Sequence, residues 1–292
     1  MTQKSSFIGI CGAPNAGKSS LVNLIVGSKV SIVSPRPQTT RENIRGIVVF
    51  EDTQLIFVDT PGIMNPHDDR QKKMVEYAWE GIGDVEQIVF VLDAKRGLTE
   101  LSTKIIEGIR GKISKSGNTI KAVAVINKID IAEQEAKLEL AQALYDTGVF
   151  AEIFMTSVEK NKGIQELVGY LVKNAGDEPW PYPEDQLTDK DDRFTAAEVT
   201  REKIFYLLRE ELPYAIDVET DSYKDEGEKG ITIHQTIFTN SLGHKKIIIG
   251  DNASMIKKIG QNSRYELAKI LGNKVHLFLH VKVTKEAIKK DE

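Results

Sequence analysis

Short apolar runs recur through the first half of the chain, and most are separated by stretches with the spacing of amphipathic helices. The runs are rich in isoleucine, valine and phenylalanine, and six have the length of strands. They are Phe7–Cys11, Ile47–Phe50, Gln54–Asp59, Gln87–Asp93, Lys121–Asn127 and Glu152–Ser157. Continuously apolar strands that alternate with helices indicate a mostly parallel sheet covered by helices on both faces. The first half is therefore predicted to be an α/β domain with its ligand at the carboxyl ends of the strands.

The pattern changes in the last third of the chain. Thr195 and Glu198 have the spacing of a capping box that opens a helix. Further on, apolar and polar residues alternate over 275–283, as in a strand with one face on a core. The predicted elements are a helix over 195–211, strands over 215–238, a helix over 253–271 and a strand over 275–283. This order predicts an α+β module.

A polar segment, Gly176–Phe194, separates the two patterns. It contains three prolines, seven acidic residues and little apolar periodicity, which is typical of an interdomain linker. Trp180 and Tyr182 are its candidates for docking. We therefore expect an α/β domain over 1–176, an acidic linker over 177–194 and the α+β module over 195–292.

Composition places the chain among folded proteins. It has 292 residues, 40% of them hydrophobic and 28% charged, which is enough apolar material for two packed domains. The sequence has neither a membrane-spanning apolar run nor a signal-peptide pattern, so we expect a cytoplasmic protein. The single cysteine, Cys11, lies in an apolar run and is predicted to be buried packing.

Charge is unevenly distributed along the chain. The net charge is −4, yet an acidic stretch over 177–228 precedes a lysine-rich one over 243–292. Local positive charge suits a polyanionic partner, although a lysine-rich surface also serves for solvation alone. Charge by itself leaves both interpretations open.

A phosphate-binding motif follows the first predicted strand and precedes an amphipathic segment. Its residues are Gly12, Ala13, Pro14, Asn15, Ala16, Gly17, Lys18 and Ser19, which match GxxxxGK[ST]. Glycines allow backbone N–H groups to close around phosphates, and the following helix N-terminus adds positive potential. Lys18 is expected to reach the β- and γ-phosphates, and the Ser19 hydroxyl to ligate Mg²⁺.

Two further motifs stand at strand ends. The first consists of Asp59, Thr60, Pro61 and Gly62 and is followed by Ile63; the second includes Asn127, Lys128 and Asp130. A carboxylate at Asp59 is placed to hold Mg²⁺, and the Gly62 amide can meet the γ-phosphate. A carboxylate at Asp130 can accept paired N–H bonds from guanine, which adenine does not offer, so the predicted nucleotide is GTP.

In this order and spacing, the three motifs resemble those of the translation-factor-related small GTPases, and Pro37–Arg41 resembles the switch segment of the Era and MnmE branch. The resemblance implies a P-loop GTPase fold with a mostly parallel six-stranded sheet and GTP and GDP as ligands. By it, Thr40 ligates Mg²⁺ when GTP is bound, and Ser157 begins the loop that contacts the base. Val158 departs from the alanine usual in that loop.

The predicted hydrolytic residues are Lys18, Thr40, Asp59 and Gly62. Ile63 occupies the position where Ras-like proteins have the glutamine that orients water, so we expect slow intrinsic hydrolysis. Relatives with asparagine in the P-loop and threonine in the switch can bind K⁺, which the resemblance would assign to Asn15 and Thr39. A site without a monovalent ion is the alternative.

The last module resembles a type II KH domain, whose GxxG loop clamps single-stranded RNA. The matching loop is Gly250, Asp251, Asn252 and Ala253, which lacks the second glycine and carries an acidic side chain. The flanking basic residues expected to neutralise phosphates are Lys245, Lys246, Lys257, Lys258 and Arg264. Phe278 and His280 are candidates for stacking on a base, with half-buried packing as the alternative.

A GTPase domain followed by a KH-like module is similar to the arrangement of the bacterial Era family. The resemblance implies a GTP-dependent factor that binds small-subunit ribosomal RNA near its 3′ end and assists assembly of the 30S subunit. We also expect a monomer. The resemblance further implies some peripheral association with the cytoplasmic face of the membrane. One competing hypothesis is a GTPase whose last module binds a protein. Another is a metabolic ATP-dependent kinase, which Asn127 and Asp130 disfavour.

Overall fold

A computed structural model describes residues 3–36, 39–117, 119–208 and 212–284 of the chain. The chain divides into two compact units, Met1–Asp189 and Lys190–Glu292. Three parts of the predictions lie outside the described residues: Pro37 and Gln38 of the switch segment, 209–211 of the first helix of the module, and 285–292 at its end.

The first unit contains a six-stranded sheet. Its strands are β1 (Lys4–Cys11), β2 (Ile44–Phe50), β3 (Thr53–Asp59), β4 (Gln87–Asp93), β5 (Lys121–Asn127) and β6 (Glu152–Met155). The strand order is β2-β3-β1-β4-β5-β6. Only β2 runs antiparallel to its neighbour among these pairings, and the predicted mostly parallel sheet is confirmed.

Five helices cover both faces of this sheet. They are α1 (Lys18–Val26), α2 (Asp69–Gly81), α3 (Glu100–Lys115), α4 (Gln134–Asp146) and α5 (Ile164–Lys173). One core cluster joins α1 and α5 to Phe57, and the other joins α2, α3 and α4 to Phe90. Every residue of β3 and β4 is buried, which explains their continuously apolar sequence. Cys11 is fully buried in the second cluster, as predicted.

The segment 179–189 lies along β2 and β3 of the first unit. The Trp180 indole N–H donates to the Asp52 carbonyl (3.0 Å), and the side-chain amide of buried Gln54 exchanges two hydrogen bonds with the Tyr182 backbone (2.9 and 3.1 Å). Further along, the Ile47 N–H donates to the Leu187 carbonyl (2.9 Å). Trp180 and Tyr182 therefore dock as predicted, and most of the acidic segment belongs to the structure of the first unit.

The second unit packs three helices on one face of a three-stranded sheet. Its elements are α6 (Asp192–Leu207), β7 (Ile216–Asp225), β8 (Ile231–Thr239), α7 (Leu242–Ile249), α8 (Ser254–Leu271) and β9 (Val275–Val283). The strand order is β7-β8-β9, with β7 antiparallel and β9 parallel to β8. Buried side chains from the helices, such as Ile204, Ile248 and Ile259, meet those of the strands on this face. The α+β prediction is confirmed.

The predicted start of α6 at a Thr195 capping box is wrong. The helix begins three residues earlier, and the Asp191 carboxylate accepts a hydrogen bond from the Phe194 N–H (2.8 Å) as its N-cap. Glu198 does not reach back to the backbone, because its carboxylate pairs with the buried guanidinium of Arg201 (2.6 Å). Aspartate is as good a cap as threonine or better, and the upstream residue therefore sets the boundary.

Candidate functional site

Residues 12–17 form a tight loop between β1 and α1. Gly12 has a φ of 145°, and a Cβ there would lie 2.3 Å from the Val91 carbonyl oxygen. Gly17 has a φ of 98°, and a Cβ there would lie 2.3 Å from the Asn127 amide nitrogen. Both conformation and space therefore require glycine at these positions. The loop presents bare backbone at the N-terminus of α1, where N–H groups and the helix dipole favour an anion.

The Lys18 ammonium lies inside this loop. The side chain is 6% exposed, and Nζ donates to the carbonyl oxygens of Gly12 (3.2 Å) and Ala13 (3.1 Å). Burial lowers the pKa of Lys18, and the attraction of the nearby Asp59 carboxylate opposes that shift. A cation is thus fixed within the loop that the sequence predicts to hold phosphates.

The three predicted magnesium ligands lie together. Asp59 ends β3 with its side chain fully buried, and within the described residues neither carboxylate oxygen has a hydrogen-bond partner. Burial raises the pKa of Asp59, while the neighbouring Ser19 hydroxyl and the Lys18 charge act in the opposite direction. The Ser19 and Thr40 hydroxyls are 3.0 Å apart. Carboxylate and hydroxyl oxygens suit a hard cation, and Mg²⁺ would give the buried carboxylate a partner.

The predicted guanine-binding residues meet at the ends of β5 and β6. Asp130 is exposed, and its carboxylate accepts a hydrogen bond from Ser157 Oγ (2.5 Å), which lowers the pKa of Asp130 and keeps it ionised. Buried Asn127 donates to the Ala16 carbonyl (3.0 Å) and accepts from Thr156 Oγ1 (3.2 Å). Asn127 therefore links the ends of β5 and β6 to the loop over 12–17, the predicted phosphate loop, while Asp130 presents an ionised acceptor to solvent.

Two predicted nucleotide contacts turn their side chains into the protein. Ile63 is 4% exposed and packs in the core, with only its N–H directed to the Gly12 carbonyl (3.1 Å). The Thr60 hydroxyl donates to the Ile10 carbonyl (2.7 Å). Gly62 packs against Pro14, and a Cβ at Gly62 would approach the Pro14 backbone to 2.8 Å. The segment after Asp59 therefore contacts the phosphate loop through its backbone.

The predicted RNA-binding loop joins α7 to α8. Gly250, Asn252 and Ala253 have φ values of 70°, 50° and 60°, so the loop holds two side-chain-bearing residues in the left-handed region. Asp251 and Asn252 are exposed. Ala253 thus adopts the conformation that the second glycine of a GxxG loop takes easily, at a steric cost that glycine does not have.

The basic residues predicted to flank this loop differ in position. Lys257 Nζ contacts the Asn252 carbonyl (3.4 Å), and Lys258 and Lys246 are exposed nearby in sequence. Lys245 is half-buried. Arg264 lies three turns along α8, about 15 Å from its start at the rise of an α-helix. The structure therefore does not bring Arg264 to the loop.

Comparisons with known proteins match both units of the chain. A family model described as a 50S ribosome-binding GTPase matches residues 7–128, and one described as a KH domain matches residues 211–287. GTPase Era of Caulobacter vibrioides is 41% identical over 294 residues, covering 96% of this chain and 91% of that protein. GTPase Era of Bradyrhizobium diazoefficiens is 43% identical over 280 residues, with coverage of 96% and 89%. The chain belongs to the Era family of GTPases.

Solved Era structures agree with this assignment. An Aquifex aeolicus Era variant bound to GDP·AlF4⁻ aligns with a TM-score of 0.88 at 34% identity, covering 98% of both chains. Era in complex with MgGDPNP and nucleotides 1506–1542 of 16S ribosomal RNA aligns with the same TM-score, identity and coverage. This Era chain is thus a GTP- and GDP-binding GTPase that carries a KH domain.

Asp93 is a site residue that the sequence motifs missed in this Era protein. It ends β4 and is 7% exposed, and its Oδ2 accepts a hydrogen bond from Lys128 Nζ (2.7 Å). Lys128 Nζ also donates to the Asn15 carbonyl (2.6 Å). Asp93 therefore holds a lysine that bridges the guanine motif and the phosphate loop. Its position could have marked it, because it ends a buried strand at the same sheet edge as Asp59.

Two further contacts reach the phosphate loop of the Era site. Arg96 Nη1 donates to the Pro14 carbonyl (3.1 Å), a contact that no motif in the sequence marks. The Asn15 side-chain amide donates to the Pro35 carbonyl (3.0 Å), which joins the phosphate loop to the segment that leads to Thr39 and Thr40. The two residues predicted to hold K⁺ therefore lie on linked segments.

Proposed function

We propose that this Era protein is a GTP-controlled switch that binds small-subunit ribosomal RNA near its 3′ end and assists assembly of the 30S subunit. The observation that carries the switch is the pairing of Thr40 with Ser19 beside the buried carboxylate of Asp59. This pairing ties the predicted switch segment to the phosphate loop. Segments held in this way in one nucleotide state and released in the other are a common basis of GTPase switching.

In the proposed nucleotide site, the N-terminus of α1 and the Lys18 ammonium bind the β- and γ-phosphates of GTP. Gly62 packs against Pro14 of the phosphate loop, and its amide would donate to the γ-phosphate. The Asp130 carboxylate would accept the two guanine N–H bonds. Ser19, Thr40 and Asp59 would hold Mg²⁺, which neutralises phosphate charge when bound. Ile63 is apolar and buried, so its side chain cannot orient the attacking water. This supports slow intrinsic turnover.

Guanine specificity provides a test of the nucleotide site alone. Replacing Asp130 by asparagine exchanges an acceptor for a donor, so affinity should move from GTP toward xanthosine triphosphate. Competition binding with GTP, xanthosine triphosphate and ATP measures the change. Unaltered preference for GTP in Asp130→Asn would remove Asp130 from the base-binding site, and preference for ATP in the wild type would favour a kinase.

RNA binding is supported by the KH match over 211–287, by exposed lysines beside the loop, and by the 16S RNA present in the similar Era structure. The test is a salt series of binding to RNA from the small-subunit 3′ end. A lysine that contacts a phosphate contributes both to affinity and to its salt dependence. Lys257→Glu and Lys258→Glu together should therefore weaken binding by about tenfold or more and flatten the salt dependence. Lys269→Glu, near the far end of α8, is the matched control.

Absent or salt-insensitive RNA binding would point instead to a protein partner for the last module. The exposed acidic side chain of Asp251 in the loop is the feature that favours this second function. A monomeric state is part of the proposal and is measured by light scattering.

The finer features of cofactor and location follow the family resemblance. Asn15 and Thr39 would hold K⁺, which predicts faster GTP hydrolysis in KCl than in NaCl and loss of that difference in Asn15→Ala. Among the described helices, none is long and apolar enough to span a bilayer. A cytoplasmic location with peripheral membrane association is tested by cell fractionation before and after a salt wash.

A further inference from the structure

A buried serine outside the sequence motifs has an unpaired hydroxyl. Ser31 follows α1 and is 1% exposed, and its Oγ has no hydrogen-bond partner in the described part of the chain. Both carboxylate oxygens of Asp59 are in the same condition. Nearly all buried polar groups in native proteins are paired, because a group that has lost its water and gained no partner lowers stability. A bound polar ligand is one explanation for such a group.

The Ser31 hydroxyl lies close to the carboxylate of Asp59. Burial raises the pKa of Asp59, and the hydroxyls of Ser19 and Ser31 are among the groups that oppose this shift. A hydroxyl favours the ionised form of a carboxylate in this way only at close range. Neither Asp59 oxygen, however, accepts a hydrogen bond from Ser31. The three unpaired oxygens therefore lie near one another without bonding together, as expected of groups that share an outside partner.

Asn23 fixes the position of Ser31 against α1. Its Oδ1 accepts hydrogen bonds from the N–H groups of Val30 (3.0 Å) and Ser31 (2.9 Å), and its Nδ2 donates to the Ser31 carbonyl (2.7 Å). The same helix carries Ser19 in its first turn. Thr40, by contrast, belongs to the predicted switch segment. Because Ser31 is held by the helix, we expect it to keep its place in both nucleotide states.

A hydrated divalent cation has the chemistry that fits these oxygens. Mg²⁺ prefers octahedral oxygen coordination, loses water reluctantly and keeps several water molecules in protein sites. A carboxylate and a serine hydroxyl can both accept hydrogen bonds from such water. Side chains that support the ligands of a metal in this way typically contribute a factor of about 10–100 to metal affinity.

We propose that Ser31 is a positioning residue of the magnesium site, whose hydroxyl accepts a hydrogen bond from the hydration shell of the ion beside Asp59 in both nucleotide states. The inference rests on the proposed magnesium site of Ser19, Thr40 and Asp59 and adds a fourth side chain to it. Ser31 differs measurably from Thr40, since Thr40 is expected to act only when GTP is bound.

Magnesium titration of nucleotide release tests this role in the full chain. The release rates of fluorescent GDP and of a fluorescent, non-hydrolysable GTP analogue are measured against Mg²⁺ concentration. Ser31→Ala should raise the concentration that gives half of the slowing by about tenfold with both nucleotides, and leave the rate at saturating Mg²⁺ unchanged. Ser31→Cys, which keeps the volume without the hydroxyl, should do the same. Thr40→Ala should raise that concentration with the GTP analogue alone.

Two control variants separate the ion from the fold. Ser263→Ala removes another buried, unpaired serine hydroxyl, on α8 of the second unit, and should leave the titration unchanged. Ser19→Ala removes a direct ligand and should raise the Mg²⁺ requirement with both nucleotides. Without nucleotide and Mg²⁺, Ser31→Ala should not lower the free energy of unfolding, because the hydroxyl that it removes has no partner among the described residues.

Four results would overturn the inference. A Ser31→Ala titration equal to that of the wild type removes Ser31 from the site, while an effect of Ser19→Ala leaves the proposed site intact. A shift confined to the GTP analogue assigns Ser31 to the switch segment. A shift shared by Ser263→Ala, or accompanied by lower stability of the nucleotide-free protein, assigns the effect to the fold. An unchanged titration in Ser19→Ala refutes the proposed magnesium site itself, and the role of Ser31 with it.

Discussion

In the ligand-free protein, the buried carboxylate of Asp59 lowers the stability of the fold. Its two oxygens have no hydrogen-bond partner within the described residues, and desolvation raises the pKa of the group. A polar group left without a partner in the interior lowers stability. Binding sites often accept such a cost because the ligand supplies the missing partner.

Replacing Asp59 by asparagine should stabilise the nucleotide-free protein at pH 7 and abolish magnesium-dependent GTP binding. The raised pKa of Asp59 means that the folded state favours the protonated carboxyl. The loss in the free energy of unfolding caused by the ionised carboxylate therefore grows as pH rises from the pKa of the unfolded state to that of the folded state. The gain in the free energy of unfolding, about 1 kcal/mol or more, should vanish below about pH 4.

Denaturant unfolding of wild type and Asp59→Asn between about pH 4 and neutrality measures this difference. Asp84→Asn, at an exposed aspartate of the same unit, is the control and should change little. Lower stability of Asp59→Asn at pH 7 without nucleotide would show that Asp59 is stabilised, rather than strained, in the ligand-free site.

Asp93→Asn should speed GDP dissociation about tenfold. The change weakens the partly buried pairing with Lys128 Nζ (2.7 Å), the same atom that reaches the Asn15 carbonyl, and a loss of about 1.4 kcal/mol corresponds to that factor. Stopped-flow release of a fluorescent GDP analogue measures the rate. Glu100→Gln removes the exposed pair with Lys104 and should leave release unchanged. Equal release rates for Asp93→Asn and wild type would contradict the positioning role.

Among the secondary-structure elements, the strands are predicted closely, because a strand that is buried on both faces has a continuously apolar sequence. β4 and β5 begin and end at the predicted residues, and each motif stands at the predicted strand end. The predicted start of α6 is wrong because two acceptable caps, Asp191 and Thr195, lie about one turn apart. Contacts such as Asp93 to Lys128 join residues far apart in sequence, and no local pattern encodes them.

The docking of the acidic segment on β2 and β3 depends on one buried amide. Gln54→Leu keeps the volume of the side chain but leaves the Tyr182 N–H and carbonyl without their partners (3.1 and 2.9 Å). We expect a loss of about 1–3 kcal/mol in the free energy of unfolding and faster proteolysis within 179–189. Gln142→Leu, which removes an exposed amide from α4, is the control. Unchanged stability and cleavage would mean that other contacts hold the segment.

At the scale of the whole molecule, the two units have separate cores and carry separate chemistry. The first unit carries the loop over 12–17, the predicted magnesium ligands and the predicted guanine acceptor at the carboxyl ends of its strands, and the second carries the predicted RNA-binding loop. Residues 179–189, the last part of the first unit, lie along β2 and β3, and β2 directly follows the predicted switch segment. This continuity is the structural basis on which we expect nucleotide state to affect RNA binding.

The most direct test of the switch is the affinity of the full chain for the small-subunit 3′ RNA with a GTP analogue and with GDP. We predict tighter binding with the analogue by about tenfold, the usual size of such coupling, and loss of the difference in Thr40→Ala with the GDP-state affinity retained. Equal affinity in both nucleotide states of the wild type would contradict a GTP-controlled RNA switch.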